Sequence, residues 1–251
     1  MRLACDLPCK PEARVTFHPM IAVTFALPAE SSEFLRRLRN KSCTDRNGNR
    51  IVCGTIHDHK IEVLHTGVGG NVCKERIGKF LEGAQFRILI SAGFAGALND
   101  KLRAGDLLLA ENFSTVQLDE MRRGAGGSPI HRANLLTVPS IIHSTEERKK
   151  IGQTTGAAAA DMETEFIARA CAEHGVPLLS IRIITDTPHQ PFPAPPKILF
   201  DPEQQRTRMT ALAKFFLAHP NRVLRLVQFA KRITRARKTL SNALIQVVRE
   251  L

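Results

Sequence analysis

Short apolar runs recur along this chain, and most are followed by a stretch whose apolar residues return at helical spacing. This alternation limits the fold more than any other feature of the sequence. Residues 21–25 form one such run, and residues 31–39 then place Phe34, Leu35 and Leu38 on one helical face. Residues 50–56 and 60–65 read as a hairpin turning at His57-Asp58-His59, and a helix is expected over 72–81. Further strands are expected over 87–92, 106–111, 132–138 and 178–184, with a glycine-rich loop over 112–132. Residues 163–174 read as an amphipathic helix with Phe166, Ile167, Ala170 and Cys171 inward and Gly175 at its end. Strands that are apolar throughout and alternate with helices predict one α/β domain, its mostly parallel sheet covered on both faces.

Several function classes are disfavoured at once. No apolar run approaches the roughly 20 residues that span a bilayer. The six cysteines (Cys5, Cys9, Cys43, Cys53, Cys73, Cys171) form no Cys-x-x-Cys pair, and His57 and His59 near Cys53 complete no tetrahedral set. Free thiols in a reducing cytoplasm, and no metal site, are expected. Residues 1–19 carry Pro8, Pro11 and Pro19 without a period, and read as a flexible leader rather than a secretory signal. The net charge of +12 is concentrated: residues 206–251 hold eleven of the 36 Lys and Arg and one of the 24 Asp and Glu, leaving +2 for residues 1–205.

Acidic groups stand where an α/β sheet collects its ligands, at the carboxyl ends of strands. Asp161, Glu163 and Glu165 crowd one helix start after the apolar residues 157–160, more negative charge than capping requires. Glu30 follows a strand in the same way, and Asp186 closes the run 178–184 behind apolar Ile183 and Ile184. A cap or an Asx-turn accounts for any one of them. Three at equivalent positions suit a general acid (Asp186) and a carboxylate that grips vicinal hydroxyls (Glu163). Gly67-Val68-Gly69-Gly70 and Gly93-Phe94-Ala95-Gly96 fit neither the dinucleotide nor the P-loop fingerprint. They read as tight turns, or as amides at Gly67, Gly69 and Gly93 facing a small anion or a water.

The order Ala26-Leu27-Pro28-Ala29-Glu30, Gly67-Val68-Gly69, Gly93-Phe94-Ala95-Gly96-Ala97-Leu98, Gly105-Asp106, Asp161-Met162-Glu163-Thr164 and Arg182-x-x-Thr185-Asp186 resembles the nucleoside phosphorylase and methylthioadenosine nucleosidase family. The resemblance implies a single α/β domain over 20–200, with a central twisted mixed β-sheet flanked by helices, and a basic amphipathic helical extension over 201–251. It implies cleavage of a purine N-glycosidic bond, with Asp186 meeting a ring nitrogen of the base and Met162 and Glu163 holding the ribose. Glu30 would position or deprotonate the attacking water. No cofactor is implied; inorganic phosphate is open as a co-substrate, and a homo-oligomer, preferably a dimer, is the expected assembly.

Some positions depart from the family pattern. Thr185 stands where serine is usual. The segment that supplies a stacking phenylalanine corresponds to 138–142, so Ile142 takes that place, with Phe94 or Phe192 as the compensating aromatic. Ser91 and Phe94 occupy places where bacterial purine nucleoside phosphorylases carry arginine and serine for phosphate; Arg76 is the other basic candidate for phosphate. The proline-rich stretch from Pro188 to Pro196 reads as a lid or wall, Asp201-Pro202-Glu203 as a helix start running to 219, and Pro220-Asn221 as the opening of a last helix.

That last helix carries Leu226, Ala230, Ile233, Leu240, Leu244, Val247 and Leu251 on one stripe beside its basic residues. The stripe suits packing on its own domain or on a partner subunit. Its charge suits an anionic membrane surface reached through 221–251, peripheral at the inner face of a cytoplasmic protein's membrane. Nucleic acid is not expected, since stacking aromatics are missing. Phe192-Pro193-Ala194-Pro195-Pro196 and this tail are similar to the hopanoid-associated phosphorylases, which implies a 5′-substituted adenosine such as adenosylhopane. A methylthioadenosine/S-adenosylhomocysteine-type nucleosidase is the rival reading. A catalytically silent, membrane-associated nucleoside-binding module is the rival from another class.

Overall fold

The computed structural model describes residues 20–116, 130–142, 144–191, 200–201, 206–207 and 223–251. In chain order the first half contains β1 (Met20–Phe25), α1 (Pro28–Arg37), β2 (Arg39–Arg46), β3 (Asn49–Ile56), β4 (His59–His65), α2 (Gly70–Leu81) and β5 (Phe86–Ala97). Then come β6 (Leu107–Ala110), β7 (Ile130–Ala133), β8 (Leu135–Thr137), α3 (Thr145–Thr155), β9 (Ala159–Asp161), α4 (Thr164–Glu173) and β10 (Leu178–Asp186). A short pair, β11 (Phe200–Asp201) and β12 (Arg206–Thr207), precedes the long helix α5 (Val223–Glu250).

The main sheet runs β2-β3-β4-β1-β5-β10-β6-β7, with β9 joining β5 to β8. Its centre, β4-β1-β5-β10, is parallel, while β2-β3-β4, β10-β6 and β5-β9 are antiparallel. The sheet is therefore mixed. Alternation along the strands sorts side chains to two helical layers. Ile21, Val23 and Phe25 of β1 pack with Phe34 of α1 and with Ala236, Leu240, Leu244 and Val247 of α5. Ala22, from the opposite face, packs with Cys73, Ile77 and Phe80 of α2 and with Ile167 and Cys171 of α4. Both layers leave the carboxyl ends of the parallel strands open to one side of the sheet.

The structure changes or completes the sequence reading at four places. The glycine-bearing segment 93–97 is not a turn after β5 but its continuation, because it pairs with β10 through Arg182↔Gly93, Ile183↔Phe94 and Ile184↔Ala95. Residues 39–46, polar throughout, form the edge strand β2; an exposed edge buries neither face, so no apolar alternation marks it. Residues 201, 206 and 207 do not sit in the expected helix: Asp201 pairs with Arg206 in an antiparallel bridge, and cross-strand pairing overrides the local helix-start signal. Finally, of the surfaces open to the stripe of α5, its own domain receives it, since Ile233, Ala236, Leu240, Ala243, Leu244, Val247 and Val248 are all buried. The leader, most of the 112–132 loop, most of the proline-rich stretch with Phe192, and the rest of the expected helix to 219 lie outside the described residues.

Candidate active site

A cleft opens at the carboxyl ends of β1 and β4, beside residues 91–94 of β5 and Arg182 of β10. It is lined by residues including Phe25, Glu30, Thr66, Gly93, Phe94, Glu163 and Arg182. Glu30 reaches it because Pro28 starts α1 immediately after β1, and a proline at the first helical position sacrifices an amide that has no partner there. The Glu30 carboxylate then accepts two amides: Leu27 N–H at its own helix start (3.0 Å to Oε2) and Phe94 N–H from β5 (3.1 Å to Oε1). Burial pushes the Glu30 carboxyl above its ordinary proton affinity, and the two amides hold it back.

Glu163 stands at the N-cap of α4, one residue earlier than a first-turn position. Its Oε1 accepts the N–H of Gly69, 3.0 Å away at the start of α2. Gly69 adopts φ 91°, a conformation that side chains other than glycine's seldom tolerate, and this turns its amide to the carboxylate. Burial, and then the neighbouring Asp161 charge, raise the Glu163 carboxyl to about 8.

Beneath the two glutamates lies a polar knot with every donor spent. Arg182 of β10 donates to Ser91 O (2.7 Å), Ser91 Oγ (2.8 Å), Ile181 O (2.9 Å) and Thr164 Oγ1 (2.6 Å). It also pairs with Asp161, Nε to Oδ2 at 3.1 Å, while Asp161 accepts Thr137 Oγ1 (3.0 Å), Thr164 N–H (3.2 Å) and the Thr164 hydroxyl. Asp161 is thus a structural acid that fixes β8, β9, α4 and β10 together, and the crowding of charge at this helix start has a structural cause.

Asp186 is not among the residues lining this cleft. It lies further along β10, past a register shift and opposite Gly96. It is buried, and its Oδ2 accepts Arg148 Nη2 of α3 at 2.5 Å while Thr185 Oγ1 donates to Oδ1 at 3.0 Å. Burial raises its proton affinity and Arg148 opposes this. Ile142 is buried against Leu98, Ala157 and Ala160, and its carbonyl accepts Arg148 Nε at 3.0 Å. Met162 is half-buried between Asp161 and Glu163.

The amides proposed for an anion are occupied: Gly67 N–H goes to Ala26 O (3.0 Å), Gly69 N–H to Glu163, and Phe94 N–H, next to Gly93, to Glu30. The amides of Gly67 and Gly69 are thus engaged within the chain, by a carbonyl and a carboxylate. Arg76 donates to the carbonyl of His65 (3.2 Å) and does not line the cleft. The residue missed at the sequence level is Arg148; Asp161 and Arg182 were singled out, but not their pairing with each other. Arg148 carried a readable signal: Ser144 caps α3 by accepting Glu147 N–H, and Gly156 ends it in the left-handed conformation, so a helix could have been placed there.

Comparison with known proteins places this geometry in context. The family model described as the phosphorylase superfamily matches residues 20–136 and 118–219. A 5′-methylthioadenosine/S-adenosylhomocysteine nucleosidase of Staphylococcus aureus is 22% identical over 196 residues, covering 66% of this chain and 86% of that one. The crystal structure of the Campylobacter jejuni 5′-methylthioadenosine/S-adenosylhomocysteine nucleosidase superposes with a TM-score of 0.65 at 17% identity, covering 93% of this chain and 100% of that one. The futalosine hydrolase of Helicobacter pylori gives 0.64 at 18% identity, covering 93% and 99%.

Proposed function

Since the chain belongs to the phosphorylase superfamily, we propose that it cleaves the N-glycosidic bond of an adenosine-type purine nucleoside, and that water rather than phosphate is the nucleophile. The observation that carries this reading is the pairing in one cleft of two buried carboxyl groups, Glu30 and Glu163, with Arg182, the one cation among the described lining residues, whose donors are all spent on Ser91, Ile181, Thr164 and Asp161. A phosphate dianion beside two glutamates needs a cation with free N–H donors, and those of Arg182 are all engaged. A sugar that becomes an oxocarbenium ion needs the reverse, anionic surroundings.

In this reading Glu163 accepts ribose hydroxyls and Glu30 takes the proton of the attacking water. Water oxygen bonds to the anomeric carbon, the bond to the base breaks, and its electron pair leaves with the base. Asp186 supplies the proton that a ring nitrogen of the departing purine takes up. The half-buried Phe94 offers an aromatic wall to the cleft. The nucleosidases and the futalosine hydrolase cited above share this fold, and their names span more than one substrate, so the fold alone does not choose the 5′ substituent.

A 5′-substituent of lipid character agrees with the exposed basic residues Lys231, Arg235 and Lys238 of α5 and with exposed Val227. No helix among the described residues is long and apolar enough to cross a membrane. The test is product analysis after incubation with 5′-substituted adenosines, with and without phosphate. Adenine with free sugar at equal rates in both buffers is expected; phosphate dependence with ribose 1-phosphate would overturn the hydrolytic reading.

A further inference from the structure

The ion pair between α3 and the end of β10 is built more carefully than charge neutralisation requires. Arg148 is buried, and it spends its nitrogens on three acceptors from three segments: Nε on Ile142 O (3.0 Å), Nη1 on Ala97 O (3.2 Å) and Nη2 on Asp186 Oδ2 (2.5 Å). The two carbonyls fix the plane of the guanidinium independently of Asp186, so the cation is aimed as well as attracted. Room for it is kept by Gly96, where a Cβ would stand 3.0 Å from both Arg148 Nη1 and Asp186 Oδ2.

We infer that Arg148 is a positioning residue for Asp186: by occupying Oδ2 it dictates that the transferable proton is carried on Oδ1, beside the hydroxyl of Thr185. The inference rests on the nucleoside-cleaving reading above. The local hydrogen bonds accommodate both proton states. Thr185 Oγ1 lies 3.0 Å from Asp186 Oδ1 and 3.4 Å from Ala95 O, and it has one proton for the two. With Asp186 ionised, the hydroxyl donates to Oδ1. With Asp186 protonated, Oδ1 donates to the hydroxyl, which turns to the Ala95 carbonyl. Oδ2 cannot carry the proton in either state, because an N–H already points at it. On reaction the Oδ1–H bond breaks, the proton passes to the purine ring nitrogen, and the carboxylate left behind is stabilised by the guanidinium. Solvent restores the proton after the base departs.

The charged groups that face Asp186 are Arg148 from α3 and, more distantly, Arg232 from α5; β5 presents backbone and Gly96. Removing Arg148 therefore removes the main influence that favours the anion, and a general acid that keeps its proton longer works to higher pH. Arg148→Met is expected to lower plateau kcat at least about 10-fold with KM changed less than about 3-fold, and to move the alkaline limb of the kcat profile up by about one pH unit or more. Arg148→Lys keeps the charge without the fork, so the limb returns toward its original position while the plateau stays low.

In an Asp186→Asn background, replacing Arg148 should change kcat by less than about 2-fold, because the two act through one proton. Equal losses in both backgrounds, or an unmoved limb, would overturn the inference. If Arg148→Met does not fold, the same cycle is run with Arg148→Lys. Carbon-13 NMR of the Asp186 carboxyl reads the same coupling without turnover: its titration midpoint should rise when Arg148 is replaced, and no change sinks the idea. Should the wild-type protein release no purine base, the functional reading fails separately and the NMR titration alone decides the role of Arg148.

Discussion

The acids of the cleft and the acid beyond it are buried to similar depth but held by different means. Glu30 and Glu163 meet backbone amides, from Leu27, Phe94 and Gly69, and neither makes a direct ion pair. Asp186 meets a guanidinium and a hydroxyl. Amide dipoles stabilise a carboxylate less than a full charge does, so the glutamates keep a high proton affinity, Glu163 to about 8. When ionised, they place negative charge in the cleft where a positive sugar would sit. Asp186 has its cation already supplied, and after giving up a proton it remains a stable anion. The contrast is compatible with the proposed roles, sugar contact for the glutamates and proton delivery for Asp186, whose proton affinity burial also raises.

The largest test of this division is loss of either end. Glu30→Gln and Asp186→Asn should each lower turnover at least about 100-fold, the usual scale for losing a general base or acid, as read by adenine release. A folded Asp186→Asn variant with unchanged turnover would confine the chemistry to the cleft.

The two glycines that face these acids offer a finer comparison. A Cβ at Gly96 would stand 3.0 Å from Arg148 and Asp186, whereas one at Gly93 would stand 3.4 Å from Glu30. Gly96→Ala should therefore cost more stability, about 1–3 kcal/mol in urea denaturation, than Gly93→Ala. Equal costs would mean that the ion pair is looser than its geometry indicates.

The pH dependence of stability follows from Glu163. Its proton affinity in the folded protein is raised to about 8 from an ordinary 4.5, so between those values the folded state binds the extra proton. Its contribution to stability is present in full below the ordinary value and is lost as pH rises toward 8. The ligand-free Tm should thus decline from pH 5 to pH 8 through this group, and Glu163→Gln should flatten the decline. An unaltered slope in the variant would show that Glu163 is ionised throughout.

The smallest effect on chemistry is expected on the exposed face of α5. Replacing Lys231, Arg235 and Lys238 by Glu together should weaken binding to anionic vesicles by roughly 1 kcal/mol per residue. Turnover of a soluble nucleoside should stay unchanged. Removing residues 221–251 altogether is a poorer test: the deletion strips seven buried apolar side chains of α5 from the core, and an insoluble product is expected.

Legibility in the sequence followed burial. Strands β1, β4 and β10 and helix α4 stood out because one face or both are apolar, and Glu30 and Glu163 were found because strand ends in such folds face a ligand. Strand β2 was invisible because an exposed edge strand leaves no pattern, and α3 was passed over because Arg148 is the one buried residue on an otherwise polar helix. A buried arginine cannot be told from an exposed one by its letter. The glycines of 93–96 read as a turn, yet in the sheet they admit the side chains of Glu30, Arg148 and Asp186.

The amino-acid sequence by itself determined the alternation of strands and helices, the family, and which acids stand at strand ends, because periodicity and local turn chemistry are encoded in neighbouring residues. Tertiary structure alone decided the partners: that Arg182 is spent on Asp161, Ser91 and Thr164, that Glu30 and Glu163 share a cleft, and that Asp186 is bound to Arg148 across the molecule. The charge state of a buried acid depends on groups brought within reach by the fold, and for these acids near neighbours (Leu27, Asp161, Thr185) act together with distant ones (Phe94, Gly69, Arg148).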